Sequence, residues 1–164
     1  MFRTFYPDEY VDSTYGIDYE ALYEEGFRGI IFDVDNTLVE HGADADERAI
    51  QLFLRLKAIG FDCCLLSNNK EPRVKRFNQQ IGTNYIHKAS KPKRIGYQNA
   101  MKKMNTTKET TLFIGDQLFT DVWGAKRVGI RNILVEPIGK KEEIQIVLKR
   151  YLERIVLYFY KKEK

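Results

Sequence analysis

The middle of the chain alternates between short apolar runs, typical of buried strands, and longer segments whose apolar residues recur at helical spacing. The apolar runs predict five strands, at 28–33, 61–66, 85–87, 111–115 and 130–135. The segments between them predict four helices, at 46–59, 72–81, 93–104 and 120–128. Repeated strand–helix units favour a parallel sheet covered by helices on both faces. We therefore expect a three-layer α/β fold with a parallel sheet of five strands or a similar number.

The two ends of the chain depart from this alternation. Residues 1–27 are rich in tyrosine and form an N-terminal extension, with one short helix predicted at 18–26. An amphipathic helix is predicted from about 141 to 160. Its apolar stripe consists of Ile144, Val147, Leu148, Tyr151, Leu152, Ile155 and Phe159. We expect a single domain over 1–164 with its core at about 28–136.

The apolar stripe of the C-terminal helix allows two interpretations. An amphipathic helix ordinarily packs its apolar side on the sheet or on a second subunit. Aromatic residues and lysines are also typical of interfacial helices at a membrane boundary. The pattern leaves both open, and with them the oligomeric state and a peripheral contact with a membrane.

Composition narrows the class of protein. A chain of 164 residues with 43% hydrophobic and 30% charged residues has the values of one globular domain. The net charge of +4 is uneven, because residues 1–50 carry 3 basic and 13 acidic side chains and residues 51–164 carry 24 and 10. A basic majority suits an anionic substrate or surface, but no nucleic-acid recognition motif accompanies it, so no specific nucleic-acid binding is expected.

The same pattern bears on localisation. No apolar run is long enough to cross a bilayer, and the first residues lack the apolar core of a signal peptide. We expect a cytoplasmic protein, with peripheral attachment at the inner face of the membrane as the further option. Cys63 and Cys64 are adjacent in a predicted strand, where a disulfide between them would be strained, so we expect two buried, reduced thiols.

Polar motifs directly follow three of the predicted strands. In a parallel sheet, ligands bind beyond the carboxyl ends of the strands, so these motifs are expected to converge. In chain order the motifs are Asp33-Val34-Asp35-Asn36-Thr37-Leu38, Ser67-Asn68-Asn69, Lys91-Pro92, and Gly115-Asp116 with Thr120-Asp121. Carboxylate, hydroxyl, ammonium and paired carboxylates, in that order, are typical of a phosphotransferase with an aspartate nucleophile.

Over about 28–136 these motifs resemble those of the haloacid dehalogenase (HAD) superfamily of phosphatases. More narrowly, the chain resembles subfamily IIIA and its YqeG-type branch, together with relatives that act on phosphatidylglycerophosphate. The resemblance implies a Rossmann-like core. It also implies a Mg²⁺-dependent phosphomonoester hydrolase that forms an aspartyl-phosphate.

The resemblance assigns catalytic and metal-binding roles to four carboxylates. Asp33 would be the nucleophile, and Asp35 the acid that protonates the leaving oxygen and then the base that activates water. Mg²⁺ would be held by the Asp33 carboxylate, the Asp35 backbone carbonyl and the Asp116 carboxylate. Asp121 would contact these ligands rather than the metal, or would be an outer contact of the metal itself.

Phosphate binding is assigned to three other side chains. Thr37 and Ser67 would donate hydrogen bonds to phosphate oxygens, and Lys91 would place an ammonium opposite the nucleophile. Asn68 would have a secondary role, in shaping the second loop.

Many HAD enzymes insert a cap domain between these motifs. Here 29 residues separate Thr37 from Ser67 and 23 separate Ser67 from Lys91, which leaves no room for a cap. A large substrate or a membrane surface would then have to cover the site.

The resemblance implies phosphatidylglycerophosphate as the substrate, and three alternatives remain at this stage. The substrate could be another phosphorylated macromolecule or a soluble phosphometabolite. The chain could also be a regulatory or scaffold HAD protein with low turnover, although degenerate sites usually lose one carboxylate of the Asp33/Asp35 pair.

Overall fold

The computed structural model describes residues 2–139 and 144–164. Its centre is a parallel sheet of six strands in the order β1-β6-β5-β2-β3-β4. The strands are β1 (Glu9–Val11), β2 (Gly29–Phe32), β3 (Asp62–Leu66), β4 (Asn84–Ile86), β5 (Thr111–Gly115) and β6 (Arg131–Val135). The helices are α1 (Tyr19–Glu24), α2 (Glu47–Ile59), α3 (Glu71–Asn78), α4 (Arg94–Met104), α5 (Trp123–Val128) and α6 (Ile144–Glu163). The expected α/β fold is confirmed.

Both faces of the sheet are covered because the central strands are apolar on both sides. Ile30 and Phe32 of β2 belong to a core cluster that also contains residues of α1, α2 and α3. Ile31, between them in sequence, belongs to a second cluster with residues of α4 and α5. Since successive strand residues point to opposite faces, this alternation produces the three layers. Cys63 and Cys64 divide between the same two clusters, and both are free and buried, as expected.

The sixth strand comes from the N-terminal extension. β1 pairs in parallel with β6, with Glu9 opposite Ile133 and Val11 opposite Val135. The strand is only three residues long and is half-buried at the sheet edge, so it lacks the apolar run that revealed the other strands. The extension therefore contributes to the sheet, which the sequence pattern did not predict.

The predicted helices are confirmed with small shifts of their ends. The side chain of Asp46 accepts a hydrogen bond from the Ala49 N–H and caps α2, and Gly60 ends that helix with φ 120°. The predicted helix 120–128 divides into a π-helical segment, Leu118–Val122, followed by α5. The segments on either side of Ser67 hold α2, β3, α3 and β4, so core elements occupy both places where a cap could be inserted.

The C-terminal helix corrects one expectation. α6 runs from Ile144 to Glu163; the first residues of the predicted helix, 141–143, lie outside the described residues. It packs on the core through Glu153, Val156 and Tyr160. The stripe from Val147 to Phe159 is exposed, so the interpretation in which it packs on the sheet is wrong. Within the described ranges, no helix combines the length and apolarity that a bilayer crossing needs.

Candidate active site

Three polar loops meet at the carboxyl edge of the sheet because they follow neighbouring strands. Asp33 follows β2, Ser67 follows β3 and Asp116 follows β5, and β2 lies between the other two strands. The Asp33 N–H donates to the Ile114 carbonyl at 3.0 Å and so extends the β2–β5 pairing up to the loop. The convergence predicted from strand order therefore has a direct structural basis.

Asp33, Asp116 and Asp121 form a buried acidic cluster. A carboxylate oxygen of each lies within 4.8 Å of one from each of the others, and their residues are only 7, 2 and 0% exposed. Burial, and then the neighbouring charges of Asp33 and Asp121, raise the pKa of Asp116 well above its usual range. Burial and Asp33 also raise the pKa of Asp121 to about 6. This much negative charge in a small volume requires nearby cations.

Lys91 supplies one of these cations. Its Nζ lies 2.8 Å from Asp33 Oδ1 and 2.7 Å from Asp121 Oδ1, and its side chain is almost fully buried. Burial alone would lower the pKa of Lys91, but the carboxylates of Asp121 and Asp33 more than offset this and raise it. The ammonium therefore lies beside the predicted nucleophile, and Asp121 connects to the site through it.

Asn68 fixes the backbone that carries Lys91. Its Oδ1 accepts from the Lys91 N–H at 2.7 Å, and its Nδ2 donates to the Lys91 carbonyl at 3.2 Å. This pair of contacts joins the loop after β3 to the loop before α4. The secondary role of Asn68 stays a prediction, and these contacts are the geometry on which it would depend.

The two predicted hydroxyl donors lie at different distances from the acidic cluster. The Thr37 hydroxyl is buried and within hydrogen-bond distance of Asp33 Oδ2 (3.2 Å) and Asp116 Oδ1 (3.0 Å). Ser67 is also buried, but its Oγ accepts from the Asn69 N–H at 3.1 Å and so shapes its own loop. Both occupy the strand-end edge, and only Thr37 touches the cluster in this structure.

Asp35 is turned away from the acidic cluster. Its carboxylate accepts hydrogen bonds from Asn69 Nδ2 (2.6 Å), Arg73 Nη2 (2.9 Å) and the Gly42 N–H (2.7 Å). The sequence motifs did not predict this role for Arg73, which lies on α3. Its spacing after Ser67-Asn68-Asn69 is a weak signal, because α3 carries several basic residues.

Arg150 is a second residue that the motifs did not predict. From α6, its Nη2 contacts Asp116 Oδ2 at 2.5 Å and its Nη1 donates to the Asp116 carbonyl at 2.7 Å. Glu153, one helical turn on, accepts from Arg150 Nη1 (2.9 Å) and from the Leu118 N–H (2.9 Å). These contacts attach α6 to the loop after β5. The only sequence signal was the Arg/Glu pair spaced i,i+3 opposite the apolar stripe.

A cavity of about 620 Å³ opens beside Asp116. It lies between the carboxyl end of β6 and α6, and its lining combines apolar residues with Arg150 and Arg154 and with the carboxylates of Asp116, Glu136 and Glu153. The lining includes Leu134, Val135, Pro137, Val147, Arg150, Tyr151, Arg154 and Leu157. Since Asp116 itself lines the cavity, a molecule bound there would adjoin the acidic cluster.

The donor set of the cluster fits Mg²⁺. The ion prefers carboxylate and carbonyl oxygens and keeps several waters, and Asp33 and Asp116 place oxygen donors close together. Burial and the neighbouring carboxylates of Asp33 and Asp121 raise the pKa of Asp116 even though Arg150 lowers it, so the cluster holds closely spaced acidic groups. A divalent cation would compensate their charge.

Comparison with known proteins identifies the family. The family model of haloacid dehalogenase-like hydrolases matches residues 43–129. "Probable phosphatase YqeG" of Bacillus subtilis (strain 168) is 40% identical over 156 residues, which cover 94% of this chain and 91% of that protein. "Phosphatidylglycerophosphate phosphatase 1, chloroplastic/mitochondrial" of Arabidopsis thaliana is 30% identical over 157 residues, 89% of this chain but 44% of that longer protein.

A solved structure agrees at the level of the fold. The cobalt-bound form of the deoxy-D-mannose-octulosonate 8-phosphate phosphatase from Haemophilus influenzae superimposes with a TM-score of 0.53 at 17% identity. The match covers 82% of this chain and 89% of that one, and identity this low shows the shared fold alone. With more than half of the chain inside the family match and a phosphatase relative aligned over nearly its full length, this protein belongs to the haloacid dehalogenase-like hydrolases and is a phosphatase of that family.

Proposed function

We propose that this phosphatase is a Mg²⁺-dependent phosphomonoester hydrolase that works through an aspartyl-phosphate on Asp33. The observation that carries the proposal is the position of Asp33, which lies within hydrogen-bond distance of both Lys91 and Thr37 at the carboxyl edge of the sheet. A nucleophilic carboxylate needs such neighbours, because the group it attacks is itself negatively charged.

The reaction we propose has two steps. An Asp33 carboxylate oxygen forms a bond to phosphorus while the bond from phosphorus to the leaving oxygen breaks, and Asp35 gives that oxygen its proton. Water then attacks phosphorus, Asp35 takes the proton back, and the bond to Asp33 breaks to release phosphate. Lys91, Thr37 and Ser67 hold the phosphoryl oxygens. Mg²⁺, held by Asp33, the Asp35 carbonyl and Asp116, would supply charge that offsets that of the phosphoryl group.

Asp35 has to turn for this chemistry. Its carboxylate is held by Asn69 and Arg73 at the rim of the site, so we propose that an arriving substrate competes for Arg73 and releases it. Nε and Nη1 of Arg73 are buried and have no hydrogen-bond partner among the described residues, which leaves donors for an anionic ligand.

For the substrate we propose a phospholipid phosphomonoester, phosphatidylglycerophosphate, hydrolysed at the surface of a membrane. Support comes from the Arabidopsis relative, whose name states that substrate. The absence of a cap in the described core leaves the site open to a large substrate. The cavity beside Asp116 offers apolar walls, the cations of Arg150 and Arg154, and the carboxylates of Glu136 and Glu153 as hydrogen-bond acceptors. An alcohol that carries a second phosphate and a glycerol backbone would suit such a lining.

The test is phosphate release from a panel of substrates with Mg²⁺ or with excess chelator. The panel contains phosphatidylglycerophosphate in mixed micelles, sugar phosphates, nucleotides and a phosphopeptide. We expect Mg²⁺-dependent release, greatest for the lipid. Efficient turnover of a soluble phosphometabolite while the lipid is ignored would refute the lipid assignment alone. No turnover of any substrate would favour a regulatory or scaffold role.

A further inference from the structure

α6 is amphipathic, but its charged side faces the core and its apolar side faces solvent. Its charged Glu153 is only 4% exposed and faces the core, together with Arg150. Its large apolar side chains face solvent, each between 37 and 64% exposed. This outer face consists of Val147, Leu148, Tyr151, Leu152, Ile155, Tyr158 and Phe159.

The fold does not require this outer face. α6 is attached through the polar contacts of Arg150 and Glu153 and through Val156, which packs with Leu118, Val122 and Leu134. Of the exposed side chains, Phe159 also contacts the ring of Phe2, at 5.6 Å between centroids, but most of the outer face remains in water. Exposing a contiguous apolar surface costs free energy. Surfaces of this kind mark sites of interaction.

We propose that the outer face of α6 docks on an anionic lipid bilayer. The proposal rests on the proposed function, since it assigns the surface on which the lipid substrate is reached. Arg154, whose guanidinium lies over the Tyr151 ring, and Lys162 are exposed beside the face, whereas Lys161 lies over Tyr10 of β1 and Glu163 pairs with Arg3. Basic side chains beside an apolar face are attracted to anionic headgroups, and tyrosines such as Tyr151 and Tyr158 favour the headgroup level.

Charge also favours an anionic bilayer over a second copy of the chain as the partner of this face. Joining two outer faces would bring two basic margins together and add repulsion, whereas an anionic bilayer neutralises both. A helix too polar to span a bilayer, with one apolar side, is suited to lying in the interface plane.

The position of the face serves the active site. Arg150 contacts Asp116 from the same helix that carries Tyr151 and Leu152, so the docking face lies about one helix diameter, roughly 10 Å, from the acidic cluster. A bilayer on this face would bring lipid headgroups to the cavity beside Asp116. The membrane would thereby cover a site that lacks a cap.

The experiment measures co-sedimentation of the full chain with vesicles of phosphatidylcholine alone or mixed equally with phosphatidylglycerol. The variant is Leu152→Ser with Ile155→Ser. The matched control is Leu54→Ser with Ile95→Ser, because these two residues are as exposed (56 and 54%) but lie on α2 and α4. We expect the wild type and the control to bind the anionic vesicles, more weakly the neutral ones, and the variant to bind about tenfold less or worse. The thermal unfolding midpoint should be the same for all three.

Equal binding by variant and wild type, or no binding by the wild type, would overturn the proposal. So would a wild-type dimer in sedimentation velocity that the variant converts to monomer, since the face would then join two copies. Asp33→Asn, followed in the same assay, should bind vesicles like the wild type. Hydrolysis of a small chromogenic phosphate, measured separately, tests the proposed chemistry, so failure of either proposal can be recognised independently.

Discussion

At the scale of single residues, the site depends on how charge is balanced around Asp33. Lys91 bridges Asp33 and Asp121, while Thr37 joins Asp33 to Asp116. The bridging ammonium holds the Asp33 carboxylate in place beside a positive charge, which suits the nucleophile that we propose. Single substitutions that change one functional group can therefore test the role of each side chain in catalysis.

Asp33→Asn should abolish turnover while the protein stays folded. The amide keeps the shape of the side chain but removes the nucleophile, so we expect a loss of about 10³-fold or more in kcat. Steady-state phosphate release measures it. The control is Asp12→Asn, an exposed residue far from the motifs in sequence, which should change nothing. Retention of more than about a tenth of the wild-type rate would refute the aspartyl-phosphate route.

Cys63 and Cys64 should be inert in the native protein. They are 5 and 0% exposed, and burial raises the pKa of both thiols, that of Cys64 to about 12. Ellman's reagent should therefore detect no thiol before unfolding and both after unfolding in guanidinium. Fast reaction of either thiol in native buffer would show that the sheet core opens readily.

At the scale of elements, α6 is bonded to the active site through a cation. Replacing Arg150 by Gln removes the cation that pairs with Asp116, so the free energy of unfolding of the metal-free protein should fall by up to about 3 kcal/mol. This is the low end of the range for a broken buried ion pair, because the arginine side chain is 15% exposed. The site also becomes more negative, so Mg²⁺ should raise the unfolding temperature of Arg150→Gln more than that of the wild type.

Thermal unfolding with chelator and with Mg²⁺ checks this prediction. Arg154→Gln on the same helix is the control, because Arg154 is exposed and does not contact Asp116 in the described structure. An equal Mg²⁺-induced shift in Arg150→Gln and wild type would mean that Arg150 does not influence the metal site.

The close contact between α4 and α5 is possible because Gly124 has no side chain. A Cβ at Gly124 would lie 2.1 Å from the Tyr97 hydroxyl, and Tyr97 cannot move because it is fully buried and donates to the Thr120 carbonyl at 2.7 Å. Alanine normally stabilises a helix by about 0.5–1 kcal/mol relative to glycine. Here the overlap should outweigh that gain.

We therefore expect Gly124→Ala to reduce the free energy of unfolding by about 1–3 kcal/mol, as overpacked cores do. Denaturant unfolding measures the change. Gly16→Ala is the matched control, because no atom lies within 4 Å of its Cβ position and its φ is not positive. A Gly124→Ala protein as stable as the wild type would show that α5 can shift away from α4.

At the scale of the whole molecule, stability without metal should depend on pH through the acidic cluster. The pKa of Asp121 is raised from 3.8 to about 6, so the folded protein holds this proton more tightly than the unfolded chain. Its contribution to stability is full below about pH 4 and is lost as the pH rises through about 6. The pKa of Asp116, which we propose as a Mg²⁺ ligand, is also raised by burial and by Asp33, so the stabilisation that Mg²⁺ provides should grow as the pH rises and this proton is lost.

Thermal unfolding between about pH 4 and pH 7, with chelator and with Mg²⁺, measures both trends. Asp121→Asn removes one of the two carboxyl groups with a raised pKa, so it should reduce the pH dependence in chelator. An Asp121→Asn protein with the same pH dependence as the wild type would exclude Asp121 as its source.

The local pattern of the sequence determined most of the sheet and the location of the site. Strands such as β2 and β5 are continuous apolar runs because both of their faces are buried. Such a run predicts a strand even when the strands beside it are not known. Asp33, Ser67 and Asp116 were expected to converge because parallel strands end at one edge, which is a consequence of topology rather than of side-chain detail. Lys91 was identified by its motif, and the structure brings its Nζ to Asp33.

Tertiary structure alone decided the features that depend on partners distant in sequence. β1 is a strand because β6 offers an open edge, and Arg150 reaches Asp116 across 34 positions of sequence. The helical spacing of apolar residues predicted that α6 has an apolar side, but it did not show which side faces the core. Glu153 and Arg150 find strong polar partners at the loop after β5, so the charged side turns inward and the apolar side is left to face outward.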